Sequence, residues 1–256
     1  MRFFHFLDAV CLFVVATFIL LETDAQPKTS NTKLKNKGPT SSGNAKPNPG
    51  LTLGNRWDSD ASDKGLTLSP DQLIADYTGL HLGHRSVSAE QPIPKIKSGF
   101  FYYEVETLER EGKSISIGLG PNKGLPTGKE IGVDEGYAYD NNGDVWGHKV
   151  DGCFNYHGRP YIKGEHQFAD RDAVNGVVLV SIDVVGCGVN LKTGQIFYTQ
   201  NGVLLNTTGG RLLVVDLDAD LFPTVSLGYP GNKIEANFGS KEFKFNITKA
   251  LSMRLL

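Results

Sequence analysis

Apolar and polar residues alternate along most of the chain beyond residue 51. Phe101, Tyr103, Val105 and Thr107 interleave with Tyr102, Glu104 and Glu106, and Ile115, Ile117 and Leu119 repeat the pattern. A period of two sends successive side chains to opposite faces of a strand. Residues 177–191 form an apolar, β-branched run long enough for two strands, with Gly186 or Gly188 as the hinge. Residues 195–198 and 203–204 flank Gln200-Asn201-Gly202, and Tyr137, Tyr139 and Trp146 flank Asn141-Asn142-Gly143. Both are hairpin signals. Strands are also predicted over 222–227, 233–238 and 243–247, and a helical period shows only over 70–77 and after Thr248. Gly, Pro and Asn-Gly clusters break the runs every 8–12 residues or so, roughly the spacing of an all-β fold. The pattern predicts an all-β chain folded as a two-layer antiparallel β-sandwich.

The first 50 residues follow different rules. Arg2 precedes an apolar run over residues 9–21, followed by Glu22-Thr23-Asp24-Ala25. This order reads as a signal peptide over 1–25, cleaved after Ala25. A retained anchor is the alternative. The run would make a helix of roughly 20 Å, short of the ~30 Å hydrocarbon core. Residues 26–50 are rich in Lys, Asn, Ser, Pro and Gly, with Lys28, Lys33, Lys35, Lys37 and Lys46 and no acid. Such a segment buries too little to offset its ordering entropy, so it reads as a flexible basic linker. A solvated tether is favoured over a polyanion-binding arm. The sandwich domain is placed over 51–250.

Charge narrows the partners. Removing Arg2 from the 26 Lys and Arg, and Asp8, Glu22 and Asp24 from the 28 Asp and Glu, leaves 25 of each. A balanced surface gives no global pull on nucleic acid or an anionic membrane, and no later run is suited to stable membrane insertion. The three cysteines lose Cys11 with the signal. Cys187 sits in an apolar run and should behave as a small buried hydrophobe; its pairing with Cys153 is the less favoured alternative.

Candidate chemistry is sparse. Gly118-Leu-Gly120-Pro-Asn-Lys-Gly124 has the wrong spacing for a phosphate loop and reads as a turn. Asp140, Asn142, Asp144 and Asp151 mimic calcium-loop positions, but Val145 stands where the sharp turn wants Gly. Asp216, Asp218 and Asp220 lack a closing Glu, and His148, His157 and His166 are too far apart in sequence for a metal motif. No GxSxG or HExxH occurs. The reading is therefore a non-enzyme with no metal and no cofactor. Two sequons, at Asn206 and Asn246, are candidate glycosylation sites in a secreted chain.

Several blocks together carry a resemblance. VGCGVNLKTGQIFYTQNG at 185–202, LFPTVSLGYPGNKIEANFG at 221–239 and FKFNI at 243–247 resemble the second half of a SPRY (B30.2-like) domain of the Ran-binding protein M type. GLTLSPDQLIADYTG at 65–79, AEQPIP at 89–94, GFFYYEVE at 99–106, SISIGLG at 114–120 and GYAYDNNGDVW at 136–146 fall in the family's order. With its signal and linker, the chain is similar to the secreted SPRY effectors of plant-parasitic cyst nematodes. The resemblance implies a monomeric, non-enzymatic module that binds a protein through loops at one sandwich edge. Carried onto this chain, those loops are Ser88, Ala89, Glu90, Gln91 and Pro92; Pro126, Thr127, Gly128 and Lys129; and Leu227, Gly228, Tyr229, Pro230 and Gly231. The partner implied is a host protein, such as an immune receptor or a ubiquitin-pathway component, met after secretion and delivery into the host cell. An extracellular lectin-like or adaptor module is the alternative. Residues 145–175 and 205–219 are longer and more polar than the family pattern and read as added surface loops.

Overall fold

The computed structural model describes residues 54–256 apart from 110–113, 122, 165–166, 169–170, 175–176, 181–182, 207–212 and 254; over 171–174 and 177–180 it describes the backbone. The expected signal peptide and linker lie outside these residues.

Two antiparallel sheets form the sandwich. The eight-stranded sheet runs β1 (Trp57–Ser62), β4 (Arg85–Ala89), β16 (Phe222–Leu227), β6 (Ile115–Gly120), β7 (Tyr137–Asp140), β8 (Val145–Trp146), β10 (Arg159–Ile162) and β9 (Phe154–Tyr156) in spatial order. The seven-stranded sheet runs β15 (Val203–Leu204), β14 (Ile196–Gln200), β13 (Val184–Asn190), β5 (Phe100–Glu109), β17 (Lys233–Asn237), β3 (Ile74–Tyr77) and β2 (Leu66–Leu68). β11 (Arg171–Val174) and β12 (Val177–Val180) pair separately, and one short helix, α1 (Ile247–Ser252), follows the strands.

The core forms where the alternation sends it. Phe101, Tyr103 and Val105 of β5 meet Ile115, Ile117 and Leu119 of β6, all buried, together with Val185, Cys187 and Val189 of β13. Phe238 fills the centre: its ring stacks on Tyr103 at 5.6 Å and meets Trp57 edge-on at 5.3 Å. The Tyr103 hydroxyl donates to the Gly118 carbonyl at 2.7 Å, tying the sheets together through a satisfied polar group. Cys187 is a free, fully buried thiol whose pKa burial drives up, and Cys153 is also free.

Three sequence expectations need correction. The break in 177–191 precedes Val184, while Gly186 and Gly188 lie inside β13. They are glycines because of what crosses them. A Cβ at Gly186 would sit 2.0 Å from the Tyr102 hydroxyl, and one at Gly188 2.2 Å from the Phe197 ring. Residues 70–77 hold a turn and strand β3, not a helix. Residues 243–246 are not a strand but a tail over the outer face of the seven-stranded sheet, where Phe243, Phe245, Ile247 and Ala250 pack with Tyr102 and Phe197. Asn246 then caps α1, accepting the Lys249 amide at 2.8 Å. The helix after Thr248 is where the sequence places it. No helix among the described residues is long and apolar enough to cross a membrane.

Candidate partner-binding site

The outer face of the eight-stranded sheet carries a stripe of hydroxyls. Ser86 and Ser88 of β4 meet Ser226 and Thr224 of β16 at 2.7 and 2.9 Å, and Ser116 of β6 extends the stripe. Buried hydroxyls need partners, and residues 123–136 supply them by crossing the stripe as a strap. The Gly124 amide donates to Ser88 Oγ at 3.2 Å, and the Ile131 amide to Ser226 Oγ at 2.9 Å. Ser86 Oγ donates to the Lys129 carbonyl at 3.1 Å, and the Gly128 amide donates to the His84 carbonyl at 3.0 Å. Ser116 Oγ donates to the Glu130 carboxylate and so fixes its direction.

Beyond the strap the same sheet face opens into a pocket of about 530 Å³. Leu82, His84 and Tyr229 line it from the loops, and Glu130 from the strap. Asp140 and Asp144 line it from the β7–β8 hairpin. Trp146, Tyr156 and Tyr161 add an aromatic wall. Strand register explains that wall: Tyr161 lies opposite both Trp146 and Phe154, so their side chains share one face. Trp146 and Tyr161 stack at 4.6 Å, Phe154 and Tyr161 pack at 5.4 Å, and Phe154 and Tyr156 remain more than half exposed.

The carboxylates are electrostatically unusual. Burial pushes Glu130 up to about 7 against the opposing Ser116 hydrogen bond. Burial likewise pushes Asp140 up to about 6, although the Trp146 indole at 2.9 Å and the Asp144 amide at 3.0 Å both donate to it. Burial also raises Asp144 and lowers His84, whose Nε2 lies 3.2 Å from Glu130 Oε2.

The structure divides the site residues expected from sequence. Ser88 and Ala89 are the last two residues of β4 and have no exposed surface. Ser88 therefore holds the strap rather than presenting itself to a partner. Glu90, paired with Arg56 at 2.8 Å, Gln91 and Pro92 follow the far end of β4. His84 precedes its near end, roughly 20 Å away at strand rise. Pro126, Thr127, Gly128 and Lys129 lie exposed on the strap near His84. Leu227 and Gly228 are buried, whereas Tyr229 is 37% exposed at the pocket rim in a turn closed by the Asn232 amide on its carbonyl. Pro230 and Gly231 are half-buried, the latter tied to the Tyr77 carbonyl at 2.9 Å. Sequence reading missed Glu130, Tyr156 and Tyr161. The available signal was the alternation of Phe154 with Tyr156 and of Arg159 with Tyr161 about His157-Gly158, inside a stretch read as polar loop. Asn206 and Asn246 are both exposed.

Comparison with known proteins fits this architecture. The SPRY domain profile matches residues 100–241, more than half of the chain. The chain belongs to the SPRY family. It is 32% identical over 191 residues to Ran-binding protein 10 of Danio rerio, covering 73% of this chain and 28% of that protein. It is 34% identical over 163 residues to Ran-binding protein 9 of Homo sapiens, covering 63% and 19%. The Ran-binding protein M homolog of Arabidopsis thaliana is 28% identical over 195 residues, covering 71% of this chain and 34% of the relative. The chain thus spans about a third or less of the length of these relatives. Among solved structures, a human SPRY domain superposes with a TM-score of 0.50 at 20% identity, over 70% of this chain and 98% of that one, a likeness of fold. SPRY domains are protein-interaction modules, and the matched residues of this SPRY domain include the strap, both pocket hairpins and Tyr229.

Proposed function

We propose that the chain is a secreted, non-enzymatic effector that recognises a host protein through the pocket end of its SPRY sandwich. The observation that carries this reading is the open pocket on the eight-stranded sheet, with Tyr229 at its mouth in a hydrogen-bonded turn and Tyr156 on the edge strand β9. Exposed aromatics around a concave centre are the usual anchors of a protein interface. Secretion is supported by the apolar run over 9–21 ahead of a small-residue cleavage site, and a fold held without a disulfide among the described residues suits a reducing host cytosol.

The test has two arms. Expression of the full chain in a secreting eukaryotic cell should release protein beginning at Gln26. Affinity capture from host extract should retain one partner that Tyr156→Ala and Tyr229→Ala each weaken at least tenfold while both variants stay folded, in line with loss of a hot spot of about 2 kcal/mol. A glycan array is the counter-test: reproducible sugar binding without any protein ligand contradicts the reading.

A further inference from the structure

We infer that the pocket takes an arginine side chain presented by an extended segment of the protein partner. This inference rests on the protein-binding reading above and names the chemistry of its central contact.

Charge is the first argument. The pocket lining holds Glu130, Asp140, Asp144 and His84 but neither Lys nor Arg. Two of the basic residues nearby face other groups. Lys129 pairs with Asp134 at 2.8 Å, and Arg159 donates to the carbonyls of Gly132 and Gly136. Lys163 acts on Asp144 alone among the three carboxylates. A cation entering the pocket therefore meets three acidic groups and no competing basic side chain in the lining.

Shape selects among cations. Among the described residues no three His, Cys, Asp or Glu are grouped to hold a metal, which argues for an organic cation. The wall is aromatic, with the Trp146–Tyr161 stack and the exposed Tyr156 ring edge-on to Trp146 at 6.3 Å. A guanidinium lies flat on an aromatic face while its N–H groups donate sideways to carboxylates; an ammonium is a compact, strongly hydrated point charge that gains less from such a wall. The pocket's 530 Å³ falls within the roughly 300–1,000 Å³ range of small-ligand sites, enough for one long side chain and its flanking backbone. Strand β9 is the edge of its sheet beside the pocket, with every residue exposed, so an extended segment has an unpaired edge to lie along.

A bound cation also relieves the carboxylates. Glu130 is faced by His84 from the loop before β4, Asp134 from the strap, Ser116 from β6 and Asp140 from β7. Arg85 and Asp134 act on His84, and burial keeps it below its ordinary value, so it is neutral near pH 7 and above. Guanidinium binding favours ionised Glu130 and draws its proton off. Affinity should therefore rise as pH climbs through 7.

The two tryptophans supply the test. The Trp146 indole donates to Asp140 at the pocket, while the Trp57 indole donates to the Leu73 carbonyl in the core. In nitrogen-15-labelled full chain, N-acetyl-arginine methylamide should shift the Trp146 indole signal saturably and leave Trp57 in place. The citrulline analogue, equal in shape and neutral, should bind at least tenfold more weakly. Asp144→Asn and Tyr156→Ala should each weaken the arginine probe at least tenfold without changing the melting temperature by more than a few degrees, and wild-type affinity should be several-fold tighter at pH 8 than at pH 6. An unmoved Trp146 signal, or equal binding of citrulline, overturns the inference. A randomised peptide panel separates the two levels of the argument. Arginine enriched at one position supports the inference. Enriched peptides without arginine overturn it and leave the protein-binding reading standing, and an absence of any enriched peptide contradicts both.

Discussion

The two outer faces of the sandwich each bury acidic side chains, and they treat them in opposite ways. On the seven-stranded sheet Glu104 is 4% exposed, and Oε1 accepts the Tyr102 hydroxyl and the Phe245 amide while Oε2 accepts the Lys244 amide. Those donors belong largely to the tail, so the carboxylate anchors a lid that covers its face. On the eight-stranded sheet Glu130, on the strap, and Asp140, at the end of β7, border the open pocket, and burial raises both. The donors of Glu104 close its face off. Glu130 and Asp140 also accept hydrogen bonds from the chain, but they line an open pocket, where the proposed cation would meet them.

The largest expected effect lies where the faces share a core. Phe238→Ala removes the ring between Trp57 and Tyr103 and should cost about 3–5 kcal/mol in denaturant unfolding, abolishing both faces together. Glu104→Ala should break the comparison on one side only. It orphans the buried Phe245 amide and the partly buried Lys244 amide at a cost of roughly 2–3 kcal/mol, freeing the 243–252 segment to protease while pocket binding persists. Partner binding lost in proportion to tail release would contradict the division.

Glu130→Gln probes the other side through pH. Its folded pKa of about 7 stands above the ordinary carboxylate value of 4.5, so the native state holds the proton more tightly than the unfolded chain. Stability from this group is full below about pH 4.5 and declines as pH rises toward 7, by up to roughly 3 kcal/mol at 1.36 kcal/mol per unit. Glu130→Gln should flatten that part of the stability–pH curve and melt higher than wild type at pH 8. An unchanged slope would show that Glu130 is solvated. The smallest effect belongs to the rim. Tyr229→Ala should leave the melting temperature within about 3 °C, as an exposed residue does in a domain of this size, and show its loss in binding alone.

How much of this was legible depends on whether a residue's two neighbours are different in kind. The alternation in β5 and β6 was clear because one face meets the core and the other meets polar or tail residues, so the strands were read correctly. Residues 243–247 alternate equally well, yet Phe243 and Phe245 serve a face already covered by Tyr102 and Phe197, and periodicity cannot say whether an apolar pair belongs to a strand or lies across one. Gly186 looked like a hinge because the Tyr102 hydroxyl that requires it lies 84 residues away in sequence, counting from 102 to 186. Loop resemblance singled out Tyr229 and the exposed strap residues Pro126 to Lys129, and it set Glu90, Gln91 and Pro92 beside them although they follow the opposite end of β4. Loop sequence carries no record of which sheet end it occupies. Asp140 and Asp144 were noticed as misfit calcium positions, and their common pocket depends on the fold of the strap.

Hydrogen exchange on the chain with its captured partner tests the division of the two faces most directly. Bound partner should protect amides around residues 82–84, 128–133, 154–161 and 229, while exchange across 243–252 stays as in the free protein. Protection centred on the tail and the outer face of the seven-stranded sheet, with the pocket hairpins unchanged, would contradict it.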